Sequence, residues 1–127
     1  MQDTQNEIKI NIDQAQMYQA QRLLTKIETA SLTTEYKQAL SGLVKRYFYM
    51  NYDNCPRQFA RFVINSFKFD LTYAQTVCTQ SDNLVVSELK NDILSTFKII
   101  INKAVDYRTV WEKISGKIES KIGIINL

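Results

Sequence analysis

From Val86 to Ile122 the apolar residues fall in one stripe: Val86, Leu89, Ile93, Phe97, Ile100, Ala104, Tyr107, Trp111, Ile114, Ile118 and Ile122. Every step is three or four residues, which places the whole set on one side of an α-helix. Leu94, Ile101 and Val105 widen the stripe, while Lys90, Lys98, Lys103 and Lys113 lie off it. So wide a stripe marks a helix that receives a core. A helical segment over 82–121 is therefore predicted, about 60 Å long if it is one piece. Asp106 suits the cap of a second piece, so a break or bend is expected there although no Gly or Pro enforces it.

The rest of the chain supplies shorter amphipathic segments. Asp13 is a fitting N-cap for a helix to about Glu28, with Ala15, Tyr18, Leu23, Leu24 and Ile27 inward. Thr33 or Thr34 caps a second, from Glu35 to Met50, that buries Tyr36, Ala39, Leu40, Leu43, Val44, Tyr47 and Phe48. Gly42 in its middle costs about 1 kcal/mol relative to alanine, which points to a close helix crossing. The run Asn51–Pro56 (NYDNCP) breaks the pattern, with Asp53 or Asn54 as cap and Pro56 in the first turn of a third helix. That helix runs to about Phe67 with Phe59, Phe62, Val63 and Phe67 inward, and Asp70 caps a short fourth bearing Leu71, Ala74, Val77 and Cys78. Ser81 or Asp82 then starts the long segment.

At the ends the period changes. Ile8, Ile10 and Ile12 alternate with Lys9 and Asn11, as in a strand, and residues 121–127 are β-branched around Gly123. The two ends are expected either to pair as a minor ribbon or to lie as arms on the core or on a partner. The fold predicted is all-α: a single-domain bundle of four to six helices. Residues 1–12 form an arm or short strand, 13–121 the helical body and 122–127 a C-terminal arm.

Composition agrees with this. A chain of 127 residues is long enough to bury a core without disulfides or metal. Three glycines and one proline are too few for the frequent turns of an all-β fold. No apolar run approaches the roughly 18 residues of a membrane span, and the first residues are too polar for a signal peptide. A cytoplasmic protein that does not enter membranes is expected.

The chain has no histidine. It therefore lacks the usual general base, the commonest metal ligand and any Ser-His or Cys-His nucleophile system. Cys55 and Cys78 have no metal-ligand spacing. Cys78, in an apolar helical stretch, is expected to be buried and Cys55 to be a free thiol in the turn; a bond between the two stays open. Glu88 and Asp92, four apart, have the spacing to hold a cation, but a solvated face is the favoured reading. Phosphate-loop, EF-hand and nucleophile-elbow motifs are absent. A helix-turn-helix over Arg57–Gln80 is a weak reading, because Phe69-Asp70-Leu71 lacks the turn glycine. Hence no catalytic residue, cofactor, metal site or small-molecule substrate is assigned, and an enzyme is not expected.

Charge is what singles out a surface. Residues 1–35 hold five acids against three bases, and residues 70–127 hold seven of each. Residues 36–69 hold six bases (Lys37, Lys45, Arg46, Arg57, Arg61, Lys68) against Asp53. Tyr47, Phe48, Tyr49, Tyr52, Phe59, Phe62, Phe67 and Phe69 gather in the same stretch. If the second and third helices form a hairpin about NYDNCP, the bases make one surface edged by Tyr49 and Tyr52. The bland reading is a solvated face, and Lys113, Lys117 and Lys121 suit a helix dipole. The favoured function is a non-enzymatic binding or adaptor subunit that meets a protein partner through this surface within a larger complex. One alternative is a DNA- or RNA-binding module using the same bases and rings. Another is an inhibitory protein that docks on an enzyme. A homo-oligomer is compatible with each.

Overall fold

The computed structural model describes residues 13–106. In chain order these form α1 (Gln14–Thr29), α2 (Thr34–Phe48), β1 (Cys55–Pro56), α3 (Arg57–Val77), α4 (Leu84–Ala104) and β2 (Val105–Asp106). Each helix packs on its neighbours in the chain, and α1 closes on α4. The result is an all-α bundle. A minor parallel pairing sets Cys55 against Val105 and Pro56 against Asp106. The expected pairing of the chain ends, the arms at 1–12 and 122–127, the stripe beyond Asp106 and the Lys113, Lys117, Lys121 ladder lie outside the described residues.

The helix boundaries follow from local chemistry. Thr33 Oγ1 accepts the Tyr36 N–H at the start of α2, and Asn83 Oδ1 accepts the Val86 N–H at the start of α4. Each satisfies one donor that a helix start leaves unpaired. Asp13 occupies the cap position of α1 without a side-chain bond. In the NYDNCP turn, Asn51 Oδ1 takes the Asp53 N–H, the Cys55 N–H reaches the Tyr52 carbonyl, and Asn54 adopts φ 56°. Asparagine tolerates that left-handed geometry. Neither Asp53 nor Asn54 caps α3. Pro56 holds the cap position, its fixed φ of −66° leading into the first turn.

Two expected boundaries move. The helix predicted to end at Phe67 and restart at Asp70 is continuous from Arg57 to Val77. Asp70 accepts the Tyr47 hydroxyl at 2.5 Å. With its carboxylate held by a partner on α2, it no longer competes for backbone N–H groups, so the helix passes through it. The helix-turn-helix reading falls with that break. At the other end, α4 stops at Ala104 and Val105–Asp106 is extended, as the expected break near Asp106 required.

The core is aromatic. Tyr36, Phe48, Phe67 and Phe97 are fully buried. Phe97 meets Phe67 at 4.6 Å, Phe48 at 5.2 Å, Tyr47 at 5.7 Å and Tyr52 at 5.8 Å between ring centroids. Tilted and edge-on geometries of this kind favour ring pairs beyond their buried area. On α1 the inward residues are Gln16, Ala20, Leu23 and Ile27; Ala15 and Tyr18 face out, the latter 64% exposed. Gly42 has nothing within 4 Å of where a Cβ would sit, so no helix crosses closely there. Cys78, expected to be buried, is half-buried; Cys55 is a free thiol as expected, and the turn buries it.

Candidate functional site

The bases singled out in the sequence do not form one surface. Lys37 donates to the Glu28 carbonyl at 2.9 Å, so its flank of α2 faces α1, and Ser41 and Lys45 continue that row outward. Arg46 lies on the opposite flank of α2, in a groove of about 550 Å³ shared with Asp70, Tyr73, Ala74 and Val77 of α3. Arg57, Arg61 and Lys68 share the flank of α3 that continues to Gln75, whose side chain accepts from Lys90 of α4. Lys45, Arg46, Arg57, Arg61 and Lys68 are all exposed. The structure thus separates Lys37 and Lys45 from Arg57, Arg61 and Lys68, with Arg46 between the two groups.

The expected tyrosine rim also changes. Tyr52 is 3% exposed, its hydroxyl donating to the Tyr47 carbonyl at 2.5 Å. The turn folds it inward against Phe97, and burial drives its hydroxyl pKa well above the usual value. Tyr49 is half-buried at the C-cap of α2. Tyr47 is held by Asp70 and by Ser66, the latter at 2.9 Å; burial first and the Asp70 bond second raise its pKa. These tyrosines bind the hairpin together.

What lies open instead is a row of apolar side chains on α3. Phe59 is 41% exposed, Phe62 68%, Phe69 67%, Tyr73 60% and Val77 58%. The core line of α3 is Ala60, Val63, Phe67, Leu71 and Ala74. The open row is offset from it by about 80–160° at 100° per residue, on the α2 side. Phe59 and Phe62 were expected inside; continuity of the helix through Asp70 sets the register that turns them out. Phe69 and Tyr73 stack at 6.1 Å with their planes 10° apart. Of the eleven large apolar side chains exposed among the described residues, α3 carries these five in one line. Exposed apolar side chains gathered on one helix face, with Phe69 and Tyr73 in contact, suit an interaction surface. Its signal was present in the spacing 59, 62, 69, 73, 77, but a break placed at Asp70 cuts the row in two.

The other polar cluster joins α1 to α4. Arg22 gives Asp92 two bonds, at 3.0 and 3.1 Å, and Lys26 adds a third at 2.6 Å. Thr96 completes it, donating to Asp92 at 3.1 Å and accepting from Arg22 at 3.2 Å. The Arg22 bonds foremost, then Lys26, hold the Asp92 carboxyl well below the usual carboxylate range. The expected solvated face at Glu88 and Asp92 is corrected at Asp92, which is a structural clasp. Beside it a groove of about 790 Å³ runs between α1 and α4 past Gln19, Arg22, Thr96 and Ile100. No group of three or more metal-ligating side chains occurs among the described residues. No helix among them is long and apolar enough to cross a membrane. Comparisons with protein-family models, with curated proteins and with solved structures find no match to this chain.

Proposed function

We propose that this protein is a non-enzymatic binding subunit that docks in a larger complex through the α2–α3 face. The observation that carries the reading is the open row on α3, five large apolar side chains between 41% and 68% exposed along one helix. Burying rings of this size against a partner contributes about 1.5–3 kcal/mol each, enough for a few of them to anchor an interface. Of the basic residues, Arg46 lies beside the row, in the groove with Tyr73 and Val77, and favours an oppositely charged group on the partner. The lack of histidine supports the non-enzymatic part of the reading.

The test is quantitative co-purification from the native cell, comparing the wild type with a Phe62→Ser/Phe69→Ser variant after nuclease treatment. The expected result is a protein retained in stoichiometric amount by the wild type and lost by the variant. If both forms retain the same proteins, the α3 row is not the docking face. If retention disappears with nuclease, nucleic acid is the ligand and the protein-docking reading fails.

A further inference from the structure

We infer that the groove between α3 and α4 binds the phosphate backbone of double-stranded nucleic acid, a second surface that stands independently of the α3 row. Two helices bring its bases together. Lys68 of α3 and Lys90 of α4 line the groove, with Leu94 beside them. Arg61 stands seven residues before Lys68, and Lys98 four residues after Leu94, so each continues its own helix's side of the groove. The helices run antiparallel. Cys55–Pro56, before α3, pairs with Val105–Asp106, after α4, and Gln75 near the end of α3 holds Lys90 near the start of α4. Arg61 therefore lies toward Lys98, and Lys68 toward Lys90. From Arg61 to Gln75 is fourteen residues along α3, about 21 Å at 1.5 Å per residue.

The charge in this groove is uncompensated. Arg61, Lys68 and Lys98 are exposed and have no ion-pair partner among the described residues. Lys90 donates to the neutral Gln75 amide, which leaves its charge in place. The one acid lining the groove is Glu88. Asp70 faces α2 and Asp92 faces α1, each held by a partner there. A solvated face spreads its bases apart, whereas these converge on one cleft from two helices, where like charges repel. A cleft lined by one sign of charge concentrates ions of the other. A row about 21 Å long faces about six phosphates of one strand at 3.4 Å each, a repeating charge that a small anion does not supply. Thr72, Ser87 and Asn91 line the same groove and add hydroxyl and amide donors of the kind that phosphate oxygens accept. No aromatic ring lines it, so it offers no platform for stacking unpaired bases. The occupant that fits is a duplex held by its backbone, without sequence preference.

The test is fluorescence anisotropy of the full chain with a labelled duplex of about 20 base pairs, between about 50 and 200 mM salt. A labelled oligo-dT strand and a labelled glutamate peptide of the same length are run beside it. Neutralising about four phosphates gives a slope of about −3.6 in log K against log salt, a loss of about 100-fold or more over that range. Arg61→Gln/Lys98→Gln is expected to weaken duplex binding at least about tenfold at low salt and to bring the slope to about −1.8. Glu88→Gln removes the one repelling charge and is expected to tighten binding at least about twofold. Phe62→Ser/Phe69→Ser is expected to leave it unchanged. All these side chains are exposed, and circular dichroism with a thermal melt checks that each variant is folded.

Absence of duplex binding at low salt overturns the proposal, as does undiminished binding by folded Arg61→Gln/Lys98→Gln. Tighter binding of oligo-dT than of the duplex assigns an unpaired strand instead, and tighter binding of the glutamate peptide an acidic protein; either result overturns it. Loss of duplex binding in Phe62→Ser/Phe69→Ser moves the contact to the α3 row and overturns it too. Whether the α3 row keeps a protein partner after nuclease treatment is decided separately, so the two surfaces stand or fall apart.

Discussion

Arg22 on the first helix and Asp92 on the last meet fork to carboxylate, with nitrogen–oxygen distances of 3.0 and 3.1 Å, across seventy residues of sequence. The pair lies at the seam where α1 closes on α4. Its geometry is bidentate, the form of arginine–carboxylate contact that holds best against solvent.

Removing that carboxylate charge has a pH signature. The folded-state pKa of Asp92 is lowered, chiefly by the Arg22 bonds. The stabilisation it brings is therefore present above the unfolded value of about 3.9 and lost as pH falls through the folded one. Asp92→Asn is expected to cost about 1 kcal/mol at pH 7, since Lys26 and part of Arg22 remain solvated. Below pH 4 its stability should follow pH less steeply than the wild type. Urea melts from pH 2 to pH 7 measure both.

Gln16 is a buried amide whose Nε2 donates to the carbonyls of Phe48 at 2.6 Å and Met50 at 2.8 Å. It serves the end of α2 from a different helix, filling acceptors that a helix terminus leaves open. Gln16→Leu keeps the bulk but leaves those carbonyls unpaired, and should destabilise by about 1–3 kcal/mol. Hydrogen exchange at the NYDNCP turn is expected to rise along with it.

Two buried tyrosines should respond oppositely to loss of the hydroxyl. The Tyr36 hydroxyl finds no hydrogen-bond partner among the described residues, while that of Tyr52 donates to Tyr47. Tyr36→Phe is expected to be neutral or to stabilise by up to about 1 kcal/mol, and Tyr52→Phe to cost about 1 kcal/mol. Burial, with Asp82 next, pushes Tyr36 up to about 12. A raised folded pKa gives stability that is full below the unfolded value of about 10 and is lost as pH climbs toward 12. Tyr36→Phe should flatten that alkaline loss in melts between pH 8 and pH 12.

Gly42 and Thr79 each occupy a place that suits the other residue type. Gly42 is in mid-helix with open space about it, and Gly42→Ala should stabilise by about 1 kcal/mol. Thr79 has φ 50° just past α3, where Gln80 N–H reaches the Gln75 carbonyl and Thr79 N–H that of Thr76. This left-handed closing turn favours glycine, so Thr79→Gly should add about 1 kcal/mol. Thermal melts of the two single variants and their double decide it.

The sequence-readable parts of this fold are those governed by neighbours within four residues. Thr33 is legible as a cap because its partner is Tyr36, and NYDNCP as a turn because Asn51 and Asn54 carry its geometry locally. Asp70 misleads for the converse reason. A carboxylate in a helix reads as a cap until the Tyr47 hydroxyl, twenty-three residues away, is seen to hold it. Gln16 reads as surface until Phe48 is placed beside it. Phe59 and Phe62 read as core because apolar residues fill cores, yet surfaces are apolar in large part too. Once the helix runs on through Asp70, its core line passes through Ala60, Val63, Phe67, Leu71 and Ala74 instead. The basic stretch was legible as composition. Which flank each base takes depends on helix phase, and one displaced boundary rotates that phase.

The short pairing of Cys55–Pro56 with Val105–Asp106 has a kinetic meaning. The contacts between successive helices join segments linked by a few residues, and such local closures are fast. The pairing instead joins positions fifty residues apart, and it shares the task of non-local closure with the Arg22–Asp92 seam. Chain-closure entropy grows with the span that must be gathered. On that argument the hairpins of successive helices are expected to form early, and the α1–α4 seam and the β1–β2 pairing beside α3 to close late.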